Sequence, residues 1–199
     1  MKDLIILGTG VHAFEMAEII ERINRVAPTW NLLGYITTKP EQVGETFNSY
    51  KVLDSADHLD RYLKAAFVPC NEFPRTLEVP REQLATIIDP SAFVSRTAII
   101  GKGVVIYPHC YIGFNARIGD YFFCLANSII NHDDVIEDRV VVCSGVTLAG
   151  YVRVEHDCYL GQACTCKQYL KIGHDSLVGM GSVTIVDTLP TGLTATAIG

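Results

Sequence analysis

From Val94 to Thr184 the chain keeps one apolar register, in which every sixth residue, at sixteen positions in a row, falls on an expected aliphatic site. Thirteen of the sixteen are Val, Ile or Leu, types that make up 54 of the 199 residues, so chance would fill about four. Cys124, Cys166 and Thr184 are the small or weakly polar exceptions. A six-residue period is that of a parallel β-helix, whose short strands form three sides of a prism with the aliphatic residue pointing inward. Three hexads close one coil, so the register predicts a little over five coils. The position two before each aliphatic is often small or polar and is predicted to sit near a corner. The phase never slips, so no loop interrupts the stretch. A column filled by Ile, Val and Leu leaves no room for a ligand, which moves any chemistry to an outer face or between subunits.

The pattern before Asp89 is different. Leu4-Ile5-Ile6-Leu7 is an apolar run of the kind that forms a buried parallel strand, and Ala13, Met16, Ala17, Ile20 and Ile23 follow at helical spacing. A second strand is predicted at Leu32–Ile36, a helix capped by Ser55 and running to about Lys64, and a third strand at Ala66-Phe67-Val68. Alternating strands and helices predict a small α/β unit of Rossmann-like type. Ile87-Ile88-Asp89-Pro90 hands over to the first coil, which divides the chain into residues 1–89 and 90–199.

Composition narrows the function classes. A net charge of -6 argues against nucleic acid and against an anionic membrane surface as partner. No apolar run approaches the length that spans a bilayer, and the apolar core after Met1 is too short for a secretory signal. Seven cysteines in no paired framework fit a reducing cytoplasm, and Cys164-Thr165-Cys166 is not a redox motif. Gly8-Thr9-Gly10-Val11-His12-Ala13 lies between a strand and a helix, where glycines let a phosphate approach the helix N-terminus. A dinucleotide site also needs an acid closing the second strand, and here that strand runs into Thr37-Thr38-Lys39, so NAD is not expected.

The two halves together resemble the NeuD/PglD family of sugar acetyltransferases, a small Rossmann-like domain followed by a left-handed hexapeptide β-helix. The most specific piece is Asn131-His132-Asp133-Asp134-Val135-Ile136-Glu137-Asp138, joined by Ser144–Gly150 and by Val178-Gly179-Met180-Gly181-Ser182-Val183. The resemblance implies a homotrimer with an active site in each groove between prisms, acetyl-CoA as donor and a small sugar or sugar nucleotide as acceptor. The sequence departs from the family at several positions. Val11 replaces a glycine, Thr37-Thr38 an acidic pair, Val141 a common histidine, and Leu125 an asparagine for which Asn127 is the nearby stand-in. Family members also continue past the equivalent of Gly199 with an Asn-Pro-Ala-Lys tail over coenzyme A.

Acetyl transfer to an amine or hydroxyl needs a base near neutrality, for which histidine is the usual solution. Of His12, His58, His109, His132, His156 and His174, the two carboxylates after it and the family segment single out His132. Asp133 is the first candidate for orienting its imidazole, with Asp134 or an acid from a neighbouring coil as alternatives. Gly150 lies three hexads beyond His132, in the same column one coil above, so the backbone N–H of Ala149 or Gly150 is the candidate donor to a developing oxyanion. Gly179 and Gly181 are candidates for passing a pantetheine arm, and Gly8, Gly10, His12 and Asn127 for the acceptor. Two other classes stand beside the acetyltransferase. A γ-type carbonic anhydrase needs a close His-x-x-x-x-His pair, and no two histidines here are so spaced, so no metal is expected. A non-catalytic trimeric scaffold or sugar-nucleotide sensor is the other.

Overall fold

The computed structural model describes residues 1–74, 76–77, 79–191 and the backbone of Leu193–Thr194. The chain end at Gly199 lies outside the described residues. The chain divides into two compact units, Met1–Pro90 and Ser91–Gly199.

The first unit is a sheet with strand order β3-β4-β2-β1-β5, formed by β1 (Lys2–Leu7), β2 (Trp30–Thr37), β3 (Thr46–Phe47), β4 (Tyr50–Ser55) and β5 (Ala66–Pro69). All pairs are parallel except β3 with β4. Leu4–Leu7 are fully buried, as a central strand requires. Helix α1 (Val11–Val26) buries Ala13, Met16, Ala17, Ile19 and Ile20, and it stops where Pro28 cannot continue it. The predicted helix after Ser55 is a 3-10 segment, Ala56–Tyr62, broken at His58; the Ser55 hydroxyl accepts the Asp57 N–H at 3.4 Å. The β3–β4 hairpin was not among the predicted elements. Its turn residues Asn48 and Ser49 both have positive φ, the backbone that matches strand twist in tight hairpins.

The second unit is a parallel β-helix. Each of the sixteen positions of the register ends a two-residue strand, from Phe93–Val94 to Val183–Thr184. Strands pair with those one coil further along, as in Tyr111 with Ile129 and Arg117 with Val135. The first face carries Phe93–Val94, Tyr111–Ile112, Ile129–Ile130, Thr147–Leu148, Thr165–Cys166 and Val183–Thr184; the second runs from Ile99–Ile100 to Lys171–Ile172, the third from Val105–Ile106. From Ile106 onward every residue of the inner column is buried. The residues two positions earlier are buried too, including Val104, Phe122, Ser128 and Asp134. They form a second inner column rather than a row of exposed corners. After Thr184 the coil shortens, and Ile172 meets Thr188 and Val178 meets Thr194, each pair closing short of three full hexads.

From Gly103 to Gly181 every sixth residue turns a corner with φ between +55° and +73°, and only three of these are glycine. The others hold a left-handed conformation that costs an L-residue about 1–2 kcal/mol. Stacking offsets the cost, since the corner N–H donates to a carbonyl of the preceding coil, as Asp133 to Phe114 and Tyr151 to His132.

Candidate active site

His132 stands at the corner between the first and second faces. Asp133, the next residue, is in the left-handed conformation with φ 59°, which swings its carboxylate back onto its neighbour. His132 Nδ1 lies 3.0 Å from Asp133 Oδ2. The expectation that adjacent residues point apart holds for strands, and this pair is on a turn. Asp133 also accepts Asn115 Nδ2–H at 3.3 Å and the Tyr151 hydroxyl. The His132 contact, with help from Asn115 and Tyr151, holds the Asp133 carboxyl below its usual range. An ionised carboxylate only accepts, so Nδ1 donates to it, and in the neutral imidazole the lone pair then lies on Nε2.

The same corner geometry recurs. His156 Nδ1 is 2.8 Å from Asp157 Oδ2, His174 Nδ1 is 2.8 Å from Asp175 Oδ2, and the two rings stack with centroids 5.0 Å apart. Side-chain exposure does not separate the pairs, being 45% for both His132 and His156. The coil above does. A Cβ on Gly150 would come within 2.5 to 3.0 Å of three ring atoms of His132, so the imidazole is seated directly on that glycine. Tyr151 meets the ring edge to face at 5.2 Å and stacks on Tyr169 at 5.0 Å. Ala149 N–H is already tied to the Cys166 carbonyl at 3.0 Å, whereas Gly150 N–H makes no backbone hydrogen bond among the described residues.

Asp134 is not part of the pair. It points into the prism, fully buried, and accepts Asn131 N–H at 2.7 Å and Val152 N–H at 2.8 Å. Burial pushes its carboxyl up to about 7. Sequence reasoning also passed over Asn115, Tyr151 and Tyr169. The signal was available, since Asn115 and Tyr151 stand one coil below and one coil above Asp133.

The other candidates lie elsewhere. Asn127 and Gly181 turn the corner on the far side of the first face, with φ 61° and 67°, and Gly179 precedes that corner. In the first unit Gly8 has φ 125° and sits against Cys70, and a Cβ on Gly10 would collide with the Glu72 carboxylate. His12 Nδ1 is 3.1 Å from Asn71 Oδ1 and 3.6 Å from Glu72 Oε1. Thr9 donates to Gln42 at 2.6 Å and meets the buried Thr37 hydroxyl at 2.9 Å, so the end of β2 is bound to the glycine loop. Among the described residues no group of three His, Cys, Asp or Glu side chains is placed to hold a metal, and no helix is long and apolar enough to cross a membrane.

The acetyltransferase domain of PglB from Neisseria gonorrhoeae, in complex with acetyl coenzyme A, superposes with a TM-score of 0.83 at 21% identity, covering 96% of this chain and 94% of that one. The chain shares its fold with sugar acetyltransferases. A histidine-to-asparagine mutant of perosamine N-acetyltransferase from Caulobacter crescentus, in complex with CoA and GDP-perosamine, gives 0.82 at 22% identity over 96% and 91% of the two chains. In sequence, GDP-perosamine N-acetyltransferase of Escherichia coli O157:H7 is 30% identical over 133 residues, 63% of this chain. The chain spans about 60% of the length of that curated relative. No family model matches. The resemblance drawn from the sequence agrees with these relatives.

Proposed function

We propose that the protein transfers an acetyl group from acetyl-CoA to an amine or hydroxyl of a sugar, in particular a nucleotide-linked amino sugar. The carrying observation is the His132–Asp133 pair seated on Gly150. Asp133 holds the Nδ1 proton, which leaves His132 Nε2 to take the acceptor's proton as its nitrogen or oxygen bonds to the thioester carbonyl carbon. Gly150 N–H is the donor to the oxyanion that forms. His132 then returns the proton to the departing sulfur as the carbon–sulfur bond breaks, so the products are the acetylated sugar and coenzyme A. The exposed, half-polar surround of His132 fits a thioester that reaches in from outside, since the prism interior is filled.

The first unit would hold the acceptor through the loop of Gly8, Gly10 and His12. The distance of Asn127, Gly179 and Gly181 from His132, across one face, supports a groove shared between chains. That face is apolar and exposed at Phe93, Tyr111, Ile129 and Val183, with Phe93 and Tyr111 stacked at 5.0 Å. Its burial in a homotrimer would bring the corners of neighbouring prisms together. The relatives that act on or bind GDP-perosamine and acetyl-CoA support the substrate classes. The test is coenzyme A release from acetyl-CoA with UDP-, GDP- and CMP-linked amino sugars and free sialic acid, together with calorimetric titration of acetyl-CoA. Turnover on one acceptor is the expected result. Absence of both turnover and acetyl-CoA binding would contradict the reading and favour a scaffold or sensor.

A further inference from the structure

Along the β-helix the residue after each inner aliphatic donates its N–H to a carbonyl of the next coil. Ser95 donates to Ile112, Gly113 to Ile130, Leu125 to Val142, Glu137 to Val154 and Ala149 to Cys166, and the pattern runs to Lys167 and Thr184. Asn131 breaks it. Its N–H goes to Asp134 Oδ2 at 2.7 Å, and the strand pair there keeps Ile129 with Thr147 but not the next step. The other oxygen of Asp134 takes Val152 N–H at 2.8 Å. At some equivalent positions, Ala116, Val146 and Cys164 among them, that N–H closes a local turn on a carbonyl three residues back. One buried carboxylate therefore replaces a ladder bond at Asn131 and takes the Val152 N–H as well, and both groups sit beside the site. Asn131 precedes His132, and Val152 follows Gly150 and Tyr151.

The geometry points to Asp134 as a positioning residue for acyl transfer: its carboxylate opens the ladder at this one corner and fixes the His132 turn against the Gly150 turn above it. The inference rests on the acetyltransferase reading, because it assigns Asp134 the spacing between base and oxyanion donor. A closed ladder would draw the two coils together where Gly150 already leaves only enough room for the imidazole. The cost is an acid at a register held by Ala116 below and Val152 above, where an apolar side chain fits. The titratable groups around it are His132, Asp133 and Cys166.

The test compares wild type, Asp134→Asn and Asp134→Val. Valine matches the register and removes both bonds, while asparagine keeps one acceptor oxygen. In the amide spectrum of the intact protein, the Asn131 and Val152 N–H shifts should titrate together with Asp134 in wild type and stop doing so in both variants. With an acceptor that turns over, Asp134→Val should lose on the order of 10- to 100-fold in kcat with KM for acetyl-CoA within about twofold, and Asp134→Asn should lose less. A kcat for Asp134→Val within twofold of wild type overturns the inference while leaving the acetyltransferase standing. A wild type inactive on every acceptor overturns the acetyltransferase reading and takes this role with it.

Discussion

At the scale of single residues, the site depends on conformations that side-chain type alone does not announce. Asp133 reaches His132 because a corner places it in the left-handed region, and Asp134 fails to reach it because the next residue returns to the inner column. Both acids are visible in the sequence, but their roles follow from which one lies on the turn, and strand reasoning cannot supply that. Replacing Asp133 by Asn frees the imidazole to adopt either tautomer, so kcat should fall on the order of 10- to 100-fold with little change in melting temperature. Gly150→Ala forces a methyl into the ring of His132, so kcat should drop comparably while the fold survives, as far-UV circular dichroism would show. Wild-type kinetics in either variant would remove that residue from the site. Asp134 also has a consequence for stability. Its folded-state pKa of about 7 lies above the ordinary value, so the native chain keeps a proton that the unfolded chain has lost. Stability should therefore fall as pH rises from about 4 to 7 and level off above, by on the order of 1–4 kcal/mol from this group. Asp134→Val should flatten that slope in urea melts across pH, and an unchanged slope would contradict the assignment.

At the scale of elements, the β-helix was the most legible part of the chain. Its core is two residues wide per strand and repeats without insertion, so the sequence period and the spatial period are the same quantity. The second inner column was less legible, because Ala, Ser, Cys and Asp share it with Val and Phe and no single residue type marks it. In the first unit β1, α1, β2 and β5 follow from their apolar runs, whereas the β3–β4 hairpin has strands too short and too mixed to show a period. Its signal was the Asn48-Ser49 turn. Stacking makes the inner column intolerant of holes. Leu160→Ala, at a fully buried position mid-column, should cost about 2–5 kcal/mol in denaturant unfolding. A loss below about 1 kcal/mol would mean that the coil relaxes around the gap.

At the scale of the whole molecule, the proposed site between chains needs the first face to be covered by a neighbouring copy. Phe93, Tyr111 and Ile129 form an apolar strip between the His132 corner and the Asn127 corner. Ile129→Arg at the end of that strip beside His132 should convert the proposed trimer to smaller species by light scattering after size exclusion, and activity should fall with it. An unchanged mass would place the interface elsewhere. No sequence pattern fixes the number of copies, because the register describes one prism and the partner surface is read only as exposed apolar side chains. The proposed acceptor loop is illegible for a related reason: Glu72 and Asn71 come to Gly8–His12 from beyond the end of β5, and their spacing along the chain carries no motif. The claim on which the rest depends is that His132 is the base. Its direct test is kcat for coenzyme A release with the best acceptor, wild type beside His132→Ala, across pH 5 to 9. A loss on the order of 10²- to 10⁴-fold in the variant across that range is expected. A variant that retains wild-type turnover and the same pH profile would contradict it.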